Sequence, residues 1–139
     1  MQDRICLLID DDEDDQYIFG LALEDADKTY KCITVSNGID ALKKLNGDPA
    51  FIPDFIFLDL NMPYMGGKQC LQEIKKIPRL SHVPIVIYTT SSYEKDINEA
   101  KQLGAAHFLI KPPDIGILSQ ILSVLLKNQP LSFSLNQGV

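Results

Sequence analysis

The segment Phe55-Ile-Phe-Leu-Asp59-Leu-Asn-Met-Pro63-Tyr-Met-Gly66-Gly67 decides the fold of this chain. Its first four residues are all apolar, and Pro53 and Pro63 flank the run. An uninterrupted apolar run of this kind predicts a short strand that is buried on both faces, as in a parallel sheet. Open α/β sheets place their ligand sites beyond the carboxyl ends of the strands. Asp59 is therefore the candidate reactive group.

On both sides of this strand, short apolar runs alternate with helical patterns. Further strands are predicted at residues 5–9, 32–35, 85–88 and 107–110. Apolar residues at helical spacing follow each strand, and the clearest helices are predicted at residues 94–103 and 115–127. Five successive strand and helix units predict a single α/β domain, a doubly wound parallel sheet with helices on both faces.

Composition narrows the classes of function. Thirteen basic and nineteen acidic residues among 139 give a net charge of −6, which argues against direct binding of nucleic acid. No run approaches the roughly 20 apolar residues that a membrane span requires. The start Met1-Gln-Asp-Arg is unlike a secretory leader. We therefore expect a cytoplasmic protein that makes no membrane contact.

Polar side chains follow the predicted strands at the points where they end. They are Asp10 and Asp11 after the first strand, Asp59 after the third, Thr89 after the fourth and Lys111 after the fifth. The carboxyl ends of parallel strands lie at one edge of the sheet, so these side chains are expected to converge. Taken singly, a lysine or a threonine at such a position is more typical of solvated or turn residues.

The three carboxylates would repel one another unless a cation lay among them. Hard oxygen ligands without histidine or cysteine favour Mg²⁺, with Mn²⁺ as the alternative, over zinc. A metal there could neutralise a phosphoryl group arriving on a carboxylate oxygen, with Lys111 and Thr89 supplying the remaining contacts.

The combined motifs resemble the receiver domain of response regulators in two-component signalling. The resemblance rests on Asp10-Asp11, Asp59-Leu-Asn-Met-Pro63 with Gly66-Gly67, Thr89, and Lys111-Pro112. It implies a flavodoxin-like sheet of strand order 2-1-3-4-5 with five helices, and a stand-alone receiver domain at residues 1–127. Residues 128–139 are expected to form a loosely ordered tail, although alternating Leu131, Phe133 and Leu135 leave an edge strand or a partner contact open.

The resemblance also implies roles for individual residues. Asp59 would accept a phosphoryl group from the phosphohistidine of a sensor histidine kinase or a histidine phosphotransfer protein, and the chain would be a signalling protein and not an enzyme. Asp11 and Asp59 would bind Mg²⁺ through their side chains, Asn61 through its backbone carbonyl, and Asp10 through water. Lys111 would pair with the phosphoryl group.

The resemblance further implies a switch. Thr89 and Phe108 would shift the surface at residues 94–127 between two arrangements, and that surface would bind a downstream protein target, with a homodimer also open. Phe108 lacks the hydroxyl that many members carry there, and an ordinary core aromatic is its alternative role. The resemblance implies a cis peptide before Pro112. Residues 12–15 are interpreted as helix-start acids favoured by the macrodipole.

Two other functions stay open on the sequence. One is a degenerate receiver that acts as a binding module without phosphorylation, which would be marked by loss of an acid, the threonine or the lysine; none is lost. The other is a haloacid-dehalogenase-type phosphohydrolase that uses Asp10-Asp11-Asp12. That second reading is disfavoured because Asp14 stands where threonine or valine is expected and the chain is short for a substrate cap.

Overall fold

The computed structural model describes residues 4–136 and contains the predicted alternation of strands and helices. Helix and strand ends differ from the prediction by one or two residues, as is usual for such boundaries. The elements are β1 (Arg4–Ile9), α1 (Glu13–Ala26), β2 (Tyr30–Val35), α2 (Gly38–Gly47), β3 (Phe55–Leu58), α3 (Gly67–Lys75), a 3₁₀ turn (Pro78–Leu80), β4 (Ile85–Thr89), α4 (Glu94–Gln102), β5 (His107–Ile110) and α5 (Ile115–Leu125).

All five strands are parallel and lie in the order β2-β1-β3-β4-β5, which confirms the flavodoxin-like fold. The central strand β3 is buried along its whole length, as the apolar run predicted. Ile9 pairs with Leu58, so β1 and β3 end at the same level of the sheet. This register brings the residues that follow the two strands side by side.

Local sequence signals start and stop the helices. Asp12 caps α1 and Asp114 caps α5, each accepting hydrogen bonds from backbone N–H groups of the first turn. Asn37 caps α2 in the same way. Gly104 follows the end of α4 with φ of +98°, a left-handed conformation that favours glycine. These caps place the helix starts at the same edge of the sheet as the strand ends.

The alternation of side chains along the strands divides the core into two layers. One layer contains Leu7 and Ile9 of β1 and packs under α2, α3 and α4. The other contains Cys6 and Leu8 and packs under α1 and α5. Successive strand residues point to opposite faces, so a fully apolar strand serves both layers.

The C-terminal segment makes specific contacts with β5 and with the core. Phe108 N–H donates to the carbonyl of Phe133 (2.8 Å), and Leu135 N–H donates to the carbonyl of Phe108 (2.9 Å). The Asn136 side chain bonds both backbone groups of Ile110, and Leu135 is buried in the core layer under α1 and α5. β5 is an edge strand with unpaired backbone groups, and this segment satisfies them. Residues 137–139 lie outside the described part of the chain.

Two further expectations concern the backbone as a whole. The peptide before Pro112 is not cis, and no cis peptide occurs within residues 4–136, so that expectation was wrong. Among the same residues, no helix is both long enough and apolar enough to cross a membrane.

Candidate functional site

The ends of four strands bring the predicted polar residues to one edge of the sheet. Asp10 N–H donates to the carbonyl of Val35, and Asp59 N–H donates to the carbonyl of Ile9, both at 3.0 Å. These bonds continue the sheet pairing one residue past the strands and fix where each carboxylate leaves the sheet. At the other side, Lys111 N–H donates to the carbonyl of Thr89 at 2.7 Å.

Three carboxylates form the centre of the site. Oxygen atoms of Asp10, Asp11 and Asp59 all lie within 4.8 Å of one another. Asp10 and Asp59 are buried, whereas Asp11 is exposed at the mouth of the site. Burial raises the pKa of the Asp10 carboxyl, and the neighbouring Lys111 ammonium and the hydrogen bond from Asp12 N–H only partly oppose that rise.

The hydrogen bonding of these acids leaves capacity for a cation. Oδ1 of Asp10 accepts from Asp12 N–H (3.0 Å), and Oδ1 of Asp59 accepts from Asn61 N–H at the long distance of 3.4 Å. Oδ2 of Asp10 is buried, and among the described residues it forms an ion pair with Lys111 (2.8 Å) but accepts no aligned hydrogen bond. A buried oxygen of this kind, beside two further carboxylates, fits a hard divalent cation.

Lys111 is the cation that the protein itself brings to these acids. Its Nζ lies 2.8 Å from Asp10 Oδ2, 2.7 Å from Asp15 Oδ2 and 3.2 Å from Asp59 Oδ2. The side chain is only 9% exposed. Burial disfavours its charged form, but the neighbouring carboxylates of Asp10, Asp15 and Asp59 outweigh burial and raise the pKa of Lys111. The lysine is therefore held as a cation beside Asp59.

Thr89 is buried at the end of β4, and its bonding runs into the following loop. Its Oγ1 accepts from Ser91 N–H at 3.4 Å, and no hydrogen bond joins it to the acids among residues 4–136. Ser91 Oγ in turn donates to Asp96 Oδ2 at 2.5 Å. Lys68 binds the same carboxylate, and the hydrogen bonds from Lys68 and Ser91 lower the pKa of Asp96. A chain of polar groups thus links the Thr89 loop to α3 and α4.

Phe108 lies behind the site on β5 and is 1% exposed. Its ring packs in the core layer under α2, α3 and α4. Its backbone N–H and carbonyl are both bonded to the C-terminal segment, as described above. This environment agrees with the core-aromatic role, and it also joins the proposed switch residue to the tail.

The loop between β3 and α3 carries Asn61 at the surface, with its N–H directed to Asp59. The loop returns tightly, because Gly67 N–H donates to the carbonyl of Leu60 at 2.9 Å. A Cβ at Gly67 would lie 2.6 Å from the Leu60 Cα and would collide with the carbonyl oxygen of Asp59. Only glycine permits this approach, which keeps α3 against the backbone of Asp59 and Leu60.

Two contacts were not predicted from the sequence. Residues 12–15 do lie at the start of α1, but Asp15 is more than a helix-start acid because it binds Lys111. The Asp96–Lys68 pair was also missed. Acids in a first helical turn are common, and no sequence pattern shows which of them meets a lysine from a distant strand.

Comparison with known proteins gives a consistent result. A family model described as the response regulator receiver domain matches residues 6–123. Response regulator Rcp1 of Synechocystis sp. is 30% identical over 112 residues, which span 78% of this chain and 76% of that protein.

Solved structures agree with these sequence matches. The structure of the phosphorylated cyanobacterial phytochrome response regulator RcpA is similar with a TM-score of 0.81 and 29% identity, over 91% of this chain and 93% of that one. The Mn²⁺-bound form of response regulator Rcp1 gives a TM-score of 0.76 and 26% identity, over 94% and 98% of the two chains.

Proposed function

Because this chain belongs to the response regulator receiver family, we propose that Asp59 accepts a phosphoryl group from a phosphohistidine. The observation that carries this proposal is the position of the Asp59 carboxylate, beside two further acids and a buried lysine ammonium. The phosphohydrolase alternative loses its basis, since the family is one of signalling domains. The proposed receiver unit is residues 1–127, and the C-terminal segment packs on it as far as residue 136.

A divalent metal fits the acids that are present. Asp11 and Asp59 would hold it through their side chains, Asn61 through its carbonyl, and Asp10 mainly through water; the close approach of the three carboxylates and the all-oxygen donor set support this. Mg²⁺ is the proposed ion, and the Mn²⁺-bound form of Rcp1 makes Mn²⁺ the alternative. When bound, such an ion supplies neutralising charge for the transferred phosphoryl oxygens.

The residues of the chain position and neutralise the transferring group. An Asp59 oxygen forms the new bond to phosphorus while the bond from phosphorus to the donor imidazole nitrogen breaks, and the imidazole leaves with that electron pair. Lys111, 3.2 Å from Asp59, pairs with a phosphoryl oxygen. The Thr89 hydroxyl donates a hydrogen bond to another oxygen. Transfer of this kind needs mainly alignment and charge neutralisation.

The phosphoryl group acts as a switch in this proposal. Thr89 and Phe108 bias the surface at residues 94–127, which binds a downstream protein target in the cytoplasm. The donor is a sensor histidine kinase or a histidine phosphotransfer protein. A shift of Phe108 would also displace the C-terminal segment, because that segment is hydrogen-bonded to the N–H and to the carbonyl of Phe108.

The test is intact mass after incubation with acetyl phosphate and Mg²⁺, with and without EDTA. We expect the wild-type protein to gain the mass of one phosphoryl group. EDTA should prevent this gain. Asp59→Asn should give no adduct and keep the fold, because asparagine is nearly isosteric. Labelling retained in that variant would overturn the assignment of Asp59. Absence of any adduct from acetyl phosphate and from histidine-kinase donors would instead favour the binding module.

A further inference from the structure

We propose that Asp15 is a positioning residue for phosphoryl transfer, in that it anchors the Lys111 ammonium within reach of Asp59. The inference rests on the function proposed above. The carrying observation is the 2.7 Å distance from Asp15 Oδ2 to Nζ, the shortest of the three contacts that Lys111 makes with carboxylates.

The three contacts differ in kind as well as in length. An ammonium has three N–H donors. Aligned hydrogen bonds run from Lys111 to Asp15 and to Asp59, whereas Asp10 Oδ2 forms an ion pair with Nζ at 2.8 Å without an aligned hydrogen bond. The bond to Asp59 is also the longer of the two, at 3.2 Å. Asp15 is therefore the strongest directional contact of this lysine.

Asp15 is the contact that the reaction leaves in place. Asp10 and Asp59 belong to the acid set that fits the metal, and Asp59 gains the phosphoryl group. Asp15 lies outside that set, on the first turn of α1, which is fixed by its Asp12 cap. A lysine side chain has a long flexible stem and loses conformational entropy when it binds a phosphoryl group. Because Asp15 already holds Lys111 in place, less entropy is lost at that step.

Any acid near the site also repels an arriving phosphoryl group. The charge of Asp15 would slow the transfer by this repulsion, whereas its contact with Lys111 would speed it. Asp14 separates the two effects. It lies in the same helical turn, carries the same charge and is exposed, and it makes no ion pair or side-chain hydrogen bond among the described residues. Asp14→Asn removes the repulsion alone, whereas Asp15→Asn removes repulsion and anchor together.

The experiment compares phosphorylation rates with acetyl phosphate and Mg²⁺ in the wild type, Asp15→Asn, Asp15→Glu and Asp14→Asn. We expect Asp15→Asn to react about 5-fold more slowly, in line with loss of one charge-assisted contact among several. Asp14→Asn should change the rate by less than about 2-fold, because its charge is screened by solvent. Asp15→Glu keeps the carboxylate and should recover part of the rate.

A second readout reports on the lysine without any phosphorylation. Limited acylation with acetic anhydride, followed by peptide mass spectrometry, measures the reactivity of Lys111 in each folded variant. We expect it to rise in Asp15→Asn and to stay at the wild-type level in Asp14→Asn, with circular dichroism confirming the fold of both.

The outcomes separate this inference from the proposed function. Equal rates and equal Lys111 reactivity in the two asparagine variants would refute the proposal that Asp15 positions Lys111. Faster phosphorylation of Asp15→Asn than of Asp14→Asn would also overturn it, because Asp15 would then compete with the phosphoryl group for the lysine. A wild-type protein that accepts no phosphoryl group would refute the proposed function, while the acylation result would still decide whether Asp15 holds Lys111.

Discussion

Binding of Mg²⁺ at the acid cluster should stabilise the native protein measurably. Two unit charges 4.8 Å apart repel by about 3 kcal/mol at an effective dielectric constant of about 20, and the cluster holds three carboxylates within that distance. Lys111 offsets part of this repulsion, and a divalent cation would offset the rest. The unfolded chain does not gather these acids, so the ion binds the native state preferentially.

The size of the effect follows from linkage. At a metal concentration tenfold above the dissociation constant, stabilisation is about 1.4 kcal/mol. For a chain of this size, each kcal/mol moves the melting temperature by about 4 °C, so we expect a rise of about 6 °C. The assay is thermal unfolding followed by circular dichroism across a MgCl₂ titration. NaCl keeps the ionic strength constant, because the net charge of −6 makes screening alone stabilising.

Matched variants make this prediction specific to the site. Asp11→Asn should weaken the response strongly, whereas Glu24→Gln, which removes one exposed charge from the last turn of α1, should leave it unchanged. A rise that is equal in both variants would refute the metal site and attribute the effect to general screening. A melting temperature that does not depend on Mg²⁺ in the wild-type protein would refute it as well.

Three further predictions test the fold and the electrostatics of the site. Leu135→Ala should lower the free energy of unfolding by about 2 kcal/mol in urea titrations, because Leu135 is buried. Leu131 is 37% exposed, so Leu131→Ala should lower it by less than about 0.5 kcal/mol. Gly67→Ala should cost about 3 kcal/mol in the same assay because its Cβ meets backbone, while Gly66→Ala, whose Cβ would make an ordinary 3.8 Å contact with the Leu60 carbonyl oxygen, should cost about 0.5 kcal/mol or less. Equal costs would refute the close approach. The raised pKa of Asp10 means that ionisation of this carboxyl destabilises the metal-free fold above the folded-state pKa. Asp10→Asn should therefore be more stable than the wild type at pH 7. This difference in stability should shrink as the pH falls through that pKa. Urea unfolding at pH 7 and pH 5 in EDTA measures this, and a difference that grows on acidification would contradict the sign.

Much of this molecule follows from its linear pattern. The apolar runs specified the strands because a strand buried on both faces needs apolar residues at every position. The caps at Asn37 and Gly104 marked helix ends through local bonding and backbone conformation. Parallel strands share one carboxyl edge, so the convergence of Asp10, Asp59 and Lys111 could be predicted without knowing any distance.

Only the tertiary structure decided the contacts between residues whose separation in the chain is large and whose local pattern is common. Asp15 looks like any first-turn acid until β5 brings Lys111, 96 residues away, against it. Leu135 stands in a polar C-terminal stretch that resembles a frayed end. Its backbone pairs with the edge strand β5, and its side chain packs in the core layer under α1 and α5. Local sequence encodes hydrogen bonds and periodicity within a few residues. The partner of a buried charge or of an unpaired strand edge is set by which elements the folded sheet places next to each other.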